Sequence, residues 1–275
     1  MEGTIKPFTG VVLAADRGLT DPVALKTGAS CKSFVPVGGR PMLLRVLDTL
    51  SDAHEVDSIS ICGPSQAMIA REPELNDLIK NKKIRWIENL STPSKSAYHV
   101  LSLLSDNIPI LVTTSDHALL QAEVVDYFCR EARKTDCDLV VGLTSYELVM
   151  RSYPETRRTV IRLRDGGFCG CNLFAFLTPR ARRAAEFWQK IENNRKKPWY
   201  MIKTMGWPVV LRYLMGRLAL AEGFSRLSKQ MNLRTGAVML PFPEAAIDVD
   251  KVSDWQLAED IISGRKSYDL SPSGG

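Results

Sequence analysis

Val11-Val-Leu-Ala-Ala-Asp-Arg-Gly18, followed after a gap by Lys32-Ser-Phe-Val-Pro-Val-Gly-Gly-Arg-Pro-Met-Leu-Leu-Arg-Val-Leu-Asp-Thr-Leu50, is the stretch that decides the fold. Thr9 to Ala15 is a short apolar run ending in a polar loop, the pattern of a fully buried parallel strand. Pro41–Asp52 repeats its apolar residues (Leu43, Leu44, Val46, Leu47, Leu50) at helical spacing. Between strand and helix lie a Gly/Arg loop, an anchored lysine and the Gly-Gly-Arg-Pro approach to the helix. Such a stretch presents backbone N–H groups and two cations to a triphosphate.

The same strand pattern recurs at Ser58–Cys62, Ile108–Thr114 and Asp138–Leu143, with helical segments at Ser94–Leu104 and Ala122–Lys134. Strand and helix in alternation predict an α/β fold, a mostly parallel sheet with helices on both faces and ligands at the carboxyl ends of the strands. Beyond residue 150 the rhythm changes. Thr159–Arg164 and Gly170–Leu177 read as strands joined by an Asp165-Gly166-Gly167 turn, and a helix is expected from Pro179 to Glu192. Trp207–Gln230 reads as one long helix carrying Arg212, Arg217, Arg226 and Lys229. It is either a helix covering the core with solvated arginines or a surface meeting lipid headgroups. Ser271–Gly275 is expected to be a frayed end.

The 275 residues are 45% hydrophobic and 24% charged, enough for a single domain with a sizeable core. A formal charge of +5 suits anionic phosphates and is too small to require nucleic acid. No apolar stretch approaches the roughly 18 residues of a membrane span and no secretory leader is written, so a cytoplasmic protein is expected. The six cysteines form no C-x-x-C pair and are read as reduced, mostly buried thiols. The sequence sets no oligomeric state.

The paired motifs resemble the MobA-like, GT-A-fold nucleotidyltransferases, whose pattern runs L-A-A-G-x-G-x-R, a gap, then K-x-L-x-P-V-x-G-K-P-L-L. The resemblance implies a Rossmann-like sheet and transfer of NMP from an NTP (CTP, GTP or UTP) to a small, phosphorylated acceptor, with pyrophosphate released. Residues 8–150 would form the nucleotide-binding part, 151–235 an acceptor-side insertion, and 236–265 a metal-binding strand and helix. By the same resemblance Lys32 and Arg17 are catalytic. Leu13, Ala14, Ala15, Asp16, Arg17 and Gly18 line the nucleotide, with Asp16 standing where the family carries glycine. A carboxylate there repels phosphate unless a metal or Arg17 intervenes.

Ile110-Leu-Val-Thr-Thr-Ser-Asp116 ends an apolar strand in an acid, at the place of the family's metal-binding aspartate. Ala246-Ile-Asp248-Val-Asp250 resembles its second metal segment. Asp116 and Asp250 are therefore the expected Mg²⁺ ligands, and Asp248, two residues from Asp250 on the same expected strand, would point the same way. Asp254 is read as a structural acid at a helix start, and His117 as an ordinary polar neighbour. Ser94, Lys95 and Ser96 resemble the base-reading segment, though a serine helix cap explains them equally well. Gly170 and Asn172 resemble the acceptor-side strand. Two alternatives stay open: a nucleotide-sugar-dependent glycosyltransferase, which usually carries D-x-D where this chain has Asp116-His117-Ala118, and a nucleotide-binding regulatory protein without catalysis. The mixture of Trp, Leu and Arg after Lys196-Lys197 further suggests a lipid-linked acceptor and peripheral contact with a membrane.

Overall fold

A computed structural model describes residues 6–14, 20–194 and 206–265. The chain opens on β1 (Phe8–Leu13), α1 (Pro22–Thr27), a turn of 3-10 helix at Lys32–Phe34, a short hairpin of β2 (Pro36–Val37) and β3 (Arg40–Pro41), and α2 (Met42–Asp52). The alternation continues through β4 (Val56–Cys62), α3 (Gln66–Ile69), α4 (Pro73–Lys80), β5 (Ile84–Ile87) and α5 (Pro93–Ser102). Next come β6 (Ile110–Thr114), α6 (Ala122–Lys134), β7 (Leu139–Ser145) and α7 (Tyr146–Ser152). The remainder is β8 (Ile161–Leu163), β9 (Gly166–Phe176), a 3-10 turn running into α8 (Arg183–Asn194), α9 (Trp207–Leu214), α10 (Leu220–Met231), β10 (Thr235–Met239), a 3-10 turn at Pro243–Ala246 and α11 (Val252–Ile262).

The sheet order is β10-β7-β9-β6-β1-β4-β5, with β8 paired to β9. β1 is parallel to both neighbours, and Val11 stands beside Val112 of β6 and Ser60 of β4. β9 runs antiparallel between β6 and β7. Every residue of β1 is buried because both faces of the sheet are covered, which is why the strand reads as a continuous apolar run. Alternate residues divide between the layers: Val12 packs with Leu43, Leu47 and Phe128 from α2 and α6, while Val11 and Leu13 pack with Val100, Leu101 and Ala184 from α5 and α8. A Cβ on Gly10 would stand 3.2 Å from Leu50, so glycine lets α2 sit close against the strand.

Several elements depart from the sequence reading. The expected long helix over Trp207–Gln230 is two helices, because α9 ends at Leu214 and Gly216 takes a left-handed φ of 65°. The apolar periodicity carries on across this break, so the pattern alone does not show it. β9 begins earlier than expected, at Gly166, and the turn before it falls at Arg164-Asp165. It enters the middle of the sheet, so the expected acceptor-side insertion contributes to the central layer. β5 was not anticipated. The expected strand at 246–250 is a 3-10 turn followed by an extended, unladdered segment. Ile247 and Val249 are fully buried there and mimic strand alternation without strand pairing. Among the described residues no helix is long and apolar enough to cross a membrane.

Candidate active site

The sheet changes direction of growth at β1, with β4 on one side and β6 on the other, and the carboxyl ends of strands at such a point are where open α/β sheets form their ligand crevice. The ends of β1 and β6 are stitched together. The Ser115 N–H donates to the Leu13 carbonyl at 3.1 Å, Ser33 Oγ donates to the Ala14 carbonyl at 3.4 Å, and Ser33 and Ser115 share a hydroxyl hydrogen bond of 2.9 Å. Neither serine was singled out from the sequence, since a lone serine in a loop carries no periodic signal.

Lys32 begins the 3-10 turn, which is anchored by Phe34 in the core. Its ammonium donates to Asp116 Oδ2 at 2.6 Å and to Asp250 Oδ1 at 2.7 Å. Asp116 is the second residue past β6, and its backbone carbonyl accepts from the Val249 N–H at 2.9 Å, which draws the 247–250 segment to the end of β6. Asp254 accepts from the N–H groups of Asp250 and Lys251, both at 3.2 Å, and so fixes the start of α11 as the expected structural acid. Trp255 Nε1 donates to the Pro36 carbonyl at 2.8 Å and ties α11 to β2.

Burial pushes the Asp116 carboxyl up, but the Lys32 ammonium outweighs it and holds the group below the ordinary carboxylate range. Burial lowers Lys32, and the two carboxylates more than restore it, so the ammonium stays charged. His117 is 1% exposed; burial, only partly offset by Asp116, carries it down to about 4, so its ring is neutral at physiological pH.

The donor set fits a small hard cation. Asp116 Oδ1 is buried without a hydrogen-bond partner, while Oδ2 serves Lys32, so the carboxylate has lone pairs to give. Asp250 is half exposed and shares the same ammonium. Among the described residues no group of three or more His, Cys, Asp or Glu side chains comes together. Two carboxylates suit a magnesium ion that takes its other ligands from phosphate and water.

The other expected site residues divide. Leu13 and Ala14 lie at the mouth of the crevice, with their carbonyls on Ser115 and Ser33. Ala15, Asp16, Arg17 and Gly18 lie outside the described residues, as do Lys196-Lys197 and the expected frayed end at Ser271–Gly275. Ser94 gives its N–H and hydroxyl to Glu192 of α8, and Ser96 exchanges hydrogen bonds with the backbone of Leu90. Both are buried in local structure, with Thr92 capping α5; Lys95 is exposed and reaches Ser91 Oγ at 3.3 Å.

The Gly-Gly-Arg-Pro approach is engaged in contacts within the protein. Gly38 and Gly39 form the left-handed turn of the β2–β3 hairpin, the Gly38 N–H donates to Glu259, and a Cβ on Gly38 would stand 2.5 Å from Ile262. Arg40 forks between Asp48 and Glu74. Gly170 is exposed on β9, opposite Leu143. The Asn172 amide donates to Asp248 Oδ2 at 2.9 Å, and Arg158, which the sequence reading did not single out, forms an ion pair with the same carboxylate. Asp248 therefore faces Arg158 and Asn172 rather than lying beside Asp250 at Lys32. None of the six cysteines is in a disulfide, and burial raises the thiols of Cys62, Cys129, Cys169 and Cys171.

A hypothetical transferase from Thermus thermophilus shares this architecture at TM-score 0.74 and 27% identity, over 91% of this chain and all of that one. A 4-diphosphocytidyl-2C-methyl-D-erythritol synthase from Anaerococcus prevotii aligns at TM-score 0.54 and 16% identity, over 94% of this chain and 96% of its own. A CMP:2-keto-3-deoxy-manno-octonic acid synthetase complexed with CTP aligns at 0.55 and 10%, over 94% and 100%. At those identities the last two speak for the fold alone. No curated protein gave a match. The model of the MobA-like NTP transferase domain matches residues 10–230, most of the sheet and the crevice with Lys32 and Asp116. The chain belongs to the MobA-like NTP transferase family and is a nucleotidyltransferase.

Proposed function

We propose that the chain transfers NMP from an NTP to a small phosphorylated acceptor, with Asp116 and Asp250 holding Mg²⁺ and Lys32 serving the phosphates. The observation that carries this reading is the meeting of one ammonium with two carboxylates at the carboxyl ends of β1 and β6, 2.6 and 2.7 Å away. Mg²⁺ bound there would neutralise non-bridging phosphate oxygens. The acceptor oxygen attacks the α-phosphorus in line, the new P–O bond forms as the α–β bridge breaks, and pyrophosphate leaves. Lys32 would give up carboxylate contacts for phosphate oxygens as charge develops on them, and its 3-10 turn, anchored by Phe34 in the core, holds that positive charge at the site. Arg17, by resemblance, adds a second positive charge. Pyrophosphate release measured with each NTP against a panel of phosphorylated acceptors identifies both substrates; silence with every combination in Mg²⁺ would remove the reading.

A membrane-presented acceptor is favoured by α9. Trp207, Leu211, Leu214 and the adjacent Met215, spaced i, i+4, i+7, i+8, are 60%, 42%, 72% and 49% exposed, and no residue of the helix is buried. Large exposed apolar side chains in one stripe, with Arg217 just past the helix and Arg212 within it paired to Glu222, suit a helix lying at an anionic lipid interface. The acceptor on this reading is a phosphate carried on, or released beside, a lipid surface.

A further inference from the structure

Asp248 and Asp250 are rivals. They sit two apart on an unladdered segment, where a regular extended backbone would point alternate side chains the same way, and both belong to the stretch that the Val249 N–H bonds to Asp116. Only Asp250 reaches Lys32. Asp248 is held by two groups from a different part of the chain. Its carboxylate forms an ion pair with Arg158, whose Nη1 also donates to the Asp248 carbonyl at 3.2 Å, and its Oδ2 accepts from Asn172 Nδ2 at 2.9 Å. The side chains of Arg158 and Asp248 are 12% and 16% exposed.

Asn172 can reach because β9 is irregular there. Val141 pairs with Phe174 and Leu143 with Gly170, so the register shifts around Asn172, which takes a left-handed φ of 48°. Asparagine tolerates that conformation better than most side chains, and bulges of this kind re-aim side chains beside active sites. The 247–250 segment has few backbone hydrogen bonds of its own, so side-chain anchors decide which carboxylate turns to the crevice.

We infer that Arg158 and Asn172 are positioning residues that withdraw Asp248 from the cation site, so that Asp250 alone joins Asp116 across Lys32. The inference rests on the proposed cation site at Asp116 and Asp250. Without Arg158, Asp248 is a third carboxylate at one mouth. It binds a bare divalent cation more tightly and in a geometry that no longer serves the nucleotide.

The test is Mn²⁺ binding to nucleotide-free protein, followed by electron paramagnetic resonance, with folding checked by thermal melts. Arg158→Met should tighten Mn²⁺ binding about tenfold while lowering kcat, and Arg158→Met/Asp248→Asn should return the Mn²⁺ Kd to within about threefold of wild type. Asn172→Gly keeps the left-handed backbone and deletes only the amide, so it should tighten Mn²⁺ binding about two- to threefold; it decides the matter if Arg158→Met does not fold. Unchanged or weaker Mn²⁺ binding in these folded single variants, or a double variant no nearer wild type than Arg158→Met, overturns the inference. Asp250→Ala is the control: if it leaves Mn²⁺ binding intact the cation-site reading itself fails, whereas weakened binding there with an inert Arg158→Met defeats only the positioning role.

Discussion

The Lys32 ammonium stands 2.6 Å from the carboxylate of Asp116, 84 residues further along the chain, and the same nitrogen is 2.7 Å from Asp250. Two acids converge on one cation, so removing the cation leaves like charges facing each other. Lys32→Met should lower stability by about 2 kcal/mol in EDTA, allowing for the exposure of Asp250. That is roughly 4–8 °C for a chain of this size. Millimolar Mg²⁺ should restore the variant more than it stabilises wild type, and kcat should fall about 10²-fold. Equal melting shifts with Mg²⁺ in both proteins, or a change confined to KM, would contradict the role.

Asp138 offers a test away from the crevice. Its buried carboxylate accepts from Thr178 Oγ and the Arg234 N–H, both at 2.8 Å, joining the start of β7 to the end of β9 and the approach to β10. Burial raises its affinity for the proton, but these donors prevail and hold it below the ordinary carboxylate value. A carboxyl depressed in the folded state contributes stability in full above about pH 4 and loses it as pH falls through the lower folded value. Asp138→Asn should therefore cost about 1–3 kcal/mol between pH 5 and 8, and the gap should close toward pH 3. Thermal melts across that range decide it; a gap unchanged at pH 3 would place the cost elsewhere.

The stripe on α9 predicts sedimentation with vesicles rich in phosphatidylserine in low salt, and much weaker sedimentation with neutral vesicles. Trp207→Ser/Leu214→Asp should reduce it several-fold while leaving the melting temperature within about 2 °C, since neither residue is buried. Absence of association in wild type, together with full activity on a short water-soluble acceptor, would return α9 to an ordinary surface helix.

The sequence made the sheet legible where burial is two-sided. β1 and β6 are buried and rich in apolar residues because helices cover both faces, Asp116 could be placed because it stands just past the end of β6, and Lys32 was placed by the motif it opens, well beyond β1. What stayed hidden is long-range or local in a way that periodicity does not record. The insertion of β9 between β6 and β7 depends on pairing between distant segments. Arg158 meets Asp248 90 residues later, and a single arginine in a loop has no pattern to betray that. The alternation of Ile247 and Val249 with Asp248 and Asp250 imitated a strand because the apolar pair is buried without a ladder. The serines of α5 read as base contacts or caps, and their hydroxyls are engaged within the protein.

The proposed role of Asp116 and Asp250 is to hold a Mg²⁺ ion that would neutralise charge on the nucleotide phosphates during transfer. Its most direct test is Mg²⁺-dependent pyrophosphate release by wild type, Asp116→Ala and Asp250→Ala with the NTP and acceptor that wild type prefers. Wild type should turn over until EDTA abolishes it, and each variant should lose about 10³-fold or more while its thermal melt remains cooperative. Near wild-type release by either folded variant at limiting Mg²⁺ would contradict it.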